Sequence, residues 1–407
     1  MVSRGFRLLL WLFLSTLFLA TVQGDTTLTG TTDAGAHYQI VVPDSWNGDL
    51  VIYNRGSGEY ANPPVLGPLK DLQFAEGYAV AATSFRQTGS AYFKAKEDLL
   101  NLMGVFKENF GQPDQILIYG KSMGGLVTAM AIEDANLGNV VGALPMCGNL
   151  SGNLTSWDFA LDLRLTYDAV CSDVPGAHIP GGAEGLPEVS PPTWPEIVGA
   201  INNCTGVLLP PAVRSATQTA NLARILDELQ MPENFLLLDM WFVTIEMSDL
   251  VHSQGKLNGK IANTNVGVTY DDPLIDSTIQ RVAANPGARN RLNNHYTPTG
   301  YVGDTKIISI NTDKDGLVIV ENVGIYAEVM SEDNLTPLVV VEDVPSHCGF
   351  TTGELIASWE ELRNWVAGGP QPTAADIQET CESLGMGPCR IDPDFVLPDP
   401  DVRFRRR

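Results

Sequence analysis

Charge is scarce in this chain, and what there is leans to one sign. Only 18% of the 407 residues are charged, and 48 acids face 25 bases, for a formal net charge of −23. A surface so short of cations repels phosphate backbones and anionic lipid, so nucleic acid is not expected as a partner. Long apolar runs are also missing. The longest, Leu8 to Ala20, falls short of the roughly 20 residues a helix needs to cross a bilayer, so no stable membrane insertion is expected. Histidine is rare: the five are His37, His178, His252, His295 and His347. No Cys-x-x-Cys pair occurs and no His/Cys group has zinc spacing, so neither a metal nor another cofactor is expected.

The first residues have the pattern of an export signal. Arg4 and Arg7 precede the apolar run, and Val22 and Gly24 supply small residues for cleavage before Asp25. A secreted or periplasmic protein is therefore expected. The six cysteines are even in number, which after an export signal favours disulfides. Cys381 and Cys389 are near enough in sequence to pair. Cys147, Cys171 and Cys204 leave one partner to find, for which Cys348 is the candidate. The terminal run Arg403 to Arg407 is basic but short, and reads as a frayed tail.

Strand-like and helix-like stretches alternate, which predicts an α/β fold with a mainly parallel sheet covered by helices on both faces. Strands are expected at Ala36 to Val42, Asp49 to Tyr53, Tyr78 to Thr83, Gln115 to Tyr119, Val141 to Met146, Thr305 to Asn311 and Pro337 to Val341. Helical spacing marks Glu97 to Phe106, Gly125 to Glu133 and Leu355 to Val366. Between Cys147 and about Tyr296 the rhythm is lost. Ala216 to Met231 and Phe235 to Val251 look helical there, and the region is too long for a plain loop.

The chemistry concentrates on Gly120-Lys121-Ser122-Met123-Gly124, a G-x-S-x-G sequence. The pentapeptide is weak evidence alone. Here an apolar strand runs directly in and a helix runs directly out, which is the context that exposes a nucleophilic serine on a sharp turn. A phosphate-binding loop is excluded because it needs Gly where Gln115 stands. A serine hydroxyl needs a base oriented by an acid. Chain order in this arrangement is Ser, acid, His, and only His347 follows the last strands. Asp315 fits best as the acid, with Asp313 as its neighbouring alternative. The oxyanion requires two backbone donors. Met123, next after the serine, is one, and the loop after the second strand supplies the other, with Arg55 and Gly56 favoured.

These residues resemble the α/β-hydrolase superfamily, in a secreted branch with a large cap inserted after the sixth strand. The resemblance covers about residues 36 to 147 and 300 to 368. It implies Ser122 as nucleophile, Asp315 as acid, His347 as base and Arg55-Gly56 as the oxyanion turn, where the family usually has His-Gly. Cys348 follows His347 as in the feruloyl esterase and tannase family, but Lys121 stands where that family has Cys before the serine. The expected organisation is a signal over 1–24, a core over 25–147 and 297–369, a mostly helical cap over 148–296 and a tail over 370–407. An ester substrate is expected, cleaved through an acyl-enzyme. The rival readings are a serine peptidase and an inactive binding protein on the same scaffold. A peptidase that takes free amino termini should carry acids at its mouth, for which Glu246, Asp249, Asp271 and Asp272 are candidates. Met240, Trp241, Phe242 and Met247 read as core of the cap, and Asn293 to Tyr296 as a hydrogen-bonded loop. Asn149, Asn153, Asn203 and Asn334 head glycosylation-acceptor triplets.

Overall fold

The computed structural model describes residues 25–404 apart from positions 59 and 135. The expected export signal lies outside the described residues. Eight strands form one sheet: β1 (Thr26–Thr31), β2 (His37–Val42), β3 (Leu50–Asn54), β4 (Ala79–Thr83), β5 (Ile116–Lys121), β6 (Val140–Met146), β7 (Lys306–Thr312) and β8 (Leu335–Val340). Their spatial order is β1-β2-β4-β3-β5-β6-β7-β8. β1 and β2 are antiparallel to their neighbours and the other six strands run parallel.

Burial on both faces explains the sequence of the central strands. β3 reads LVIYN and β4 AVAAT, with every residue buried, as a sheet covered on both sides requires. One apolar layer packs β-strand residues Ile52 and Ile118 against the helices Tyr92–Phe110 and Met123–Ile132. The other packs Tyr53, Tyr119 and Ile310 against Trp359 and Leu362 of the helix Thr352–Val366. β1 escaped the sequence reading. Its TTLTGT alternates between half-buried and exposed positions at the sheet edge, so it carries little apolar signal.

The chain between β6 and β7 is a separate, mostly helical layer. Helices Asn153–Cys171, Trp194–Thr205 and Ala216–Leu229 enclose a core of their own that includes Tyr167, Ile201, Ile225 and Met240. The disulfide Cys171–Cys204 staples the first two. The stretch Leu236–His252 is helical as expected, but one π-helical segment interrupts it over Phe242–Glu246. Such bulges are frequent at functional sites.

Residues 370–404 are folded onto the core rather than trailing from it. The helix Ala374–Leu384 buries Ile377 and Cys381, and Cys381 joins Cys389. The frayed-tail reading fails for Arg403 and Phe404. Phe404 is buried against Phe159, and Arg403 pairs with Glu321 at 3.3 Å. Of the four asparagines that head acceptor triplets, only Asn203 is exposed; Asn153 is buried and donates to the carbonyl of His295.

Candidate active site

Ser122 stands between β5 and the helix Met123–Ile132, with φ 56° and ψ −125°. A non-glycine residue rarely adopts positive φ, and such strain clusters at functional sites. Its neighbours are glycine for a steric reason. A Cβ on Gly124 would lie 2.1 Å from the carbonyl oxygen of Asn54, and one on Gly120 would lie 2.5 Å from the carbonyl oxygen of Gly124. The turn is thus packed directly onto the end of β3.

Three side chains from three loops converge there. The Ser122 hydroxyl meets Nε2 of His347 at 2.9 Å, and Nδ1 of His347 meets Oδ2 of Asp315 at 2.7 Å. With the ring proton on Nδ1, the imidazole donates to Asp315 and accepts from Ser122. Asp315 is 1% exposed, and its other oxygen accepts the backbone N–H groups of Leu317 and Val318, each at 3.0 Å. Asp313, the alternative acid, instead accepts the N–H of Glu342 at 2.8 Å. The residues of the chain motif are therefore together, and Asp313 is not among them.

The loop that carries His347 is tied down at several points. Cys348 is joined to Cys147 at the end of β6. Arg390 donates to the carbonyl of Gly349 at 2.7 Å and pairs with Glu354. Glu342 accepts from both the backbone and the hydroxyl of Ser346. Among the described residues, Asp315, His347 and Cys348 are the one group with metal-ligand spacing. The Cys348 sulfur is consumed in its disulfide, which removes the thiolate that would bind an ion.

Arg55 and Gly56 follow β3 beside the turn. Arg55 is 2% exposed and donates to three carbonyls: Nε to Ser84 at 2.5 Å, Nη1 to Gly56 and Nη2 to Gln87, both at 2.8 Å. Its side chain ties two loops together, and it lines neither of the cavities described next; Gly56 does. Met123 opens its helix, where backbone N–H groups have no intrahelical acceptor.

Two cavities meet at Ser122. The larger, about 550 Å³, is open and is walled by Gly56, Trp241, Leu317, His347 and Cys348. The smaller, about 90 Å³, is more enclosed and runs under the inserted layer, past Met123, Trp157, Phe242 and Phe404. Met240 is a core residue of that layer, as expected, whereas Met247 packs into the core on the sheet, and Trp241 and Phe242 line cavity walls. Two carboxyls on the interrupted helix, Asp239 and Glu246, also face the smaller cavity. Burial pushes the Glu246 carboxyl up to about 7, helped by Asp249 and opposed by Lys256, Ser57 and Arg55. Burial raises Asp239 well above the usual carboxylate range, with Asp315 adding to the effect and Arg403 opposing it. The other acidic candidates lie elsewhere or are paired: Asp249 with Lys256, and Asp272 with Arg224 at 2.5 Å. Asp271 is exposed.

The strand order, the serine turn after β5 and the acid and histidine loops after β7 and β8 make one pattern. The fold is that of the α/β-hydrolases. No protein-family model matches the chain. An o-phthalyl amidase of Xanthobacter agilis is 30% identical over 111 residues, which span 25% of this chain and 22% of that one. Among solved structures, feruloyl esterase B of Aspergillus oryzae is 14% identical with a TM-score of 0.41, covering 85% of this chain and 81% of that one. An acylaminoacyl peptidase of Pyrococcus horikoshii is 12% identical with a TM-score of 0.42, covering 92% of this chain and 44% of that one.

As cavity-wall residues, Asp239 and Phe404 escaped the sequence reading. Neither lies in a motif, and only the tertiary path of the inserted layer and of the C-terminal segment brings them to the cavity beside Ser122.

Proposed function

We propose that this protein is a secreted serine hydrolase that cleaves carboxylic esters through an acyl-enzyme. The observation that carries the reading is the unbroken chain of hydrogen bonds from Asp315 through His347 to Ser122. His347 takes the proton of Ser122 as the hydroxyl attacks the carbonyl carbon. Asp315 holds the ring in the tautomer that can do this and stabilises the imidazolium. The N–H of Met123 and one from the Arg55-Gly56 turn stabilise the oxyanion. His347 then protonates the leaving alcohol. Water, deprotonated by the same imidazole, attacks the acyl-serine and releases the acid.

Secretion is supported by the pattern of residues 1–24 and by three disulfides, which persist in oxidising compartments. Among the described residues no helix is long and apolar enough to cross a membrane. Substrates are small esters or short peptides, given the modest cavities. The alternative is amide or peptide cleavage by the same residues. Glu246, a carboxyl facing the smaller cavity, favours that reading, as does the partial match to an amidase.

The test is purified protein against p-nitrophenyl esters and aminoacyl-arylamides, with Ser122→Ala alongside. Turnover should fall by about 10⁶ in the variant. Turnover that survives the substitution sinks the mechanism. Amide cleavage faster than ester cleavage at matched acyl groups moves the assignment to peptidase.

A further inference from the structure

The two cavities are not equivalent with respect to His347. The imidazole must reach the leaving group to protonate it, so the leaving group occupies the side that contains the ring. That side is the open cavity, which His347 lines; the enclosed cavity is lined by Ser122 and Met123 but not by His347. The enclosed cavity therefore receives the acyl group.

Its walls combine two kinds of group. Trp157, Phe159, Phe242 and Phe404 present aromatic rings, and Asp239 and Glu246 present carboxyls. The two acids are 5% and 6% exposed. A buried carboxyl is normally paired with a cation. Among the described residues, no nearby cation forms an ion pair with either acid: Lys256 is paired with Asp249 and also donates to the carbonyl of Thr88, and Arg55 donates to three carbonyls. Arg403 pairs with Glu321 through Nη1 and acts on Asp239 through its charge. One Asp239 oxygen is buried with no hydrogen-bond partner. The residues are seven apart on one helical stretch, about 10 Å along its axis, so two acids line one wall. Aromatic faces with carboxyls between them suit a protonated amine, which gains from both.

We infer that the enclosed cavity is an acyl pocket built for an acyl group that carries a protonated amine, held by Glu246 and Asp239. This rests on the serine-hydrolase reading. The groups facing Glu246 are Asp249 and Lys256 from its own side, Arg55 and Ser57 from the loop after β3, and Tyr92 from the helix Tyr92–Phe110. Those facing Asp239 are Asp315 and Arg403. In the empty pocket burial holds both carboxyls above their ordinary range, Glu246 up to about 7, so that Glu246 still carries a proton part of the time at neutral pH. An arriving ammonium ion stabilises their ionised forms, so its binding releases a proton.

The experiment compares amine substrates with isosteres in which methyl replaces ammonium. Methyl 3-aminopropanoate is set against methyl butanoate, and methyl alaninate against methyl 2-methylpropanoate. The ratio of kcat/KM, amine over isostere, cancels any pH dependence that the two substrates share. At pH 8 it should be about tenfold or more. For methyl 3-aminopropanoate, whose amine stays protonated over this range, it should fall as the pH drops from 8 to 6, because Glu246, pushed up to about 7, takes on a proton. Glu246→Gln and Asp239→Asn should each lower the ratio, and Glu246→Gln should flatten its pH dependence. Isosteres that react as well as the amines overturn the inference, as does a ratio that neither variant changes.

A fluorophosphonate label on Ser122 separates the two possible failures. Labelled protein that hydrolyses neutral esters with no amine preference sinks the pocket assignment alone. Ser122 that neither labels nor turns over substrate sinks the hydrolase reading. In that event, calorimetry of the Ser122→Ala protein with alaninamide still tests the pocket. Binding with proton release upholds it, and no binding overturns it.

Discussion

Asp315 and Asp239 are two buried acids close enough to feel each other's charge, yet their surroundings differ in kind. Asp315 belongs to the sheet core. One of its oxygens accepts two backbone N–H groups and the other accepts from His347. Asp239 belongs to the inserted layer and leaves an oxygen without a partner. The Asp315 network is closed, as a buried network must be if it is to hold a geometry. Asp239 leaves one oxygen open where a ligand can close it. Under the proposed function, reaction class rests on the first acid and selectivity on the second.

The sharpest way to break that contrast is Asp315→Asn. With the carboxylate gone, the imidazole loses the group that fixes its tautomer, and kcat should fall by about 10⁴. Asp313→Asn, two residues away, should keep near wild-type turnover, because Asp313 serves the N–H of Glu342 and not the ring. Stopped assays on one ester settle both. Equal losses in the two variants would show that the loop as a whole matters and not the Asp315–His347 bond.

The same contrast sets how much could be read in advance. Ser122, His347 and Asp315 were accessible because each follows a recognisable strand, and the order of the three is fixed by topology. Chain order could not separate Asp315 from Asp313. What separates them is that Asp315 also accepts the N–H groups of Leu317 and Val318, which turns its second oxygen toward the imidazole. The core strands announced themselves by apolar runs, and only the polar edge strand β1 was missed. The inserted layer gave up its helices but not its purpose. Trp241 and Phe242 look like core in the sequence, and the π-helical interruption that shares their stretch has no local signature. Phe404 lies about 280 residues beyond Ser122, with nothing near it to suggest a cavity wall.

Disulfides offer a second comparison of the two regions. Cys147–Cys348 closes a span of 201 residues and Cys171–Cys204 one of 33. On loop-closure entropy, removing the first as a double alanine variant should lower the unfolding free energy by about 5 kcal/mol, and removing the second by about 4 kcal/mol. Denaturant melts read the difference. Only the first loss should also lower kcat, since Cys348 holds the His347 loop to β6. A kcat that drops equally in both would dissolve the division between core and insertion.

The smallest effect is a stability change with pH. Burial raises the Glu246 carboxyl in the folded state to about 7, from its ordinary 4.5. The stability this contributes is complete below the unfolded pKa and is lost as pH rises through about 7. Glu246→Gln, which cannot ionise, escapes that loss. Its melting temperature should exceed wild type by about 3 °C at pH 8, with the gap closing toward pH 4.5. A gap that does not vary with pH would mean the carboxyl is not the source.

The bond between Cys147 and Cys348 has one more consequence. It makes a covalent ring of everything from the end of β6 to the histidine loop, including the entire inserted layer, β7 and β8. A protease that nicks the layer at an exposed turn opens the ring but releases no fragment. The nicked protein should run as one band on a non-reducing gel and as two on a reducing one. Under the proposed export, to surroundings where peptide bonds are cut and not replaced, such a molecule keeps its serine and its imidazole on one covalent body after its first wound.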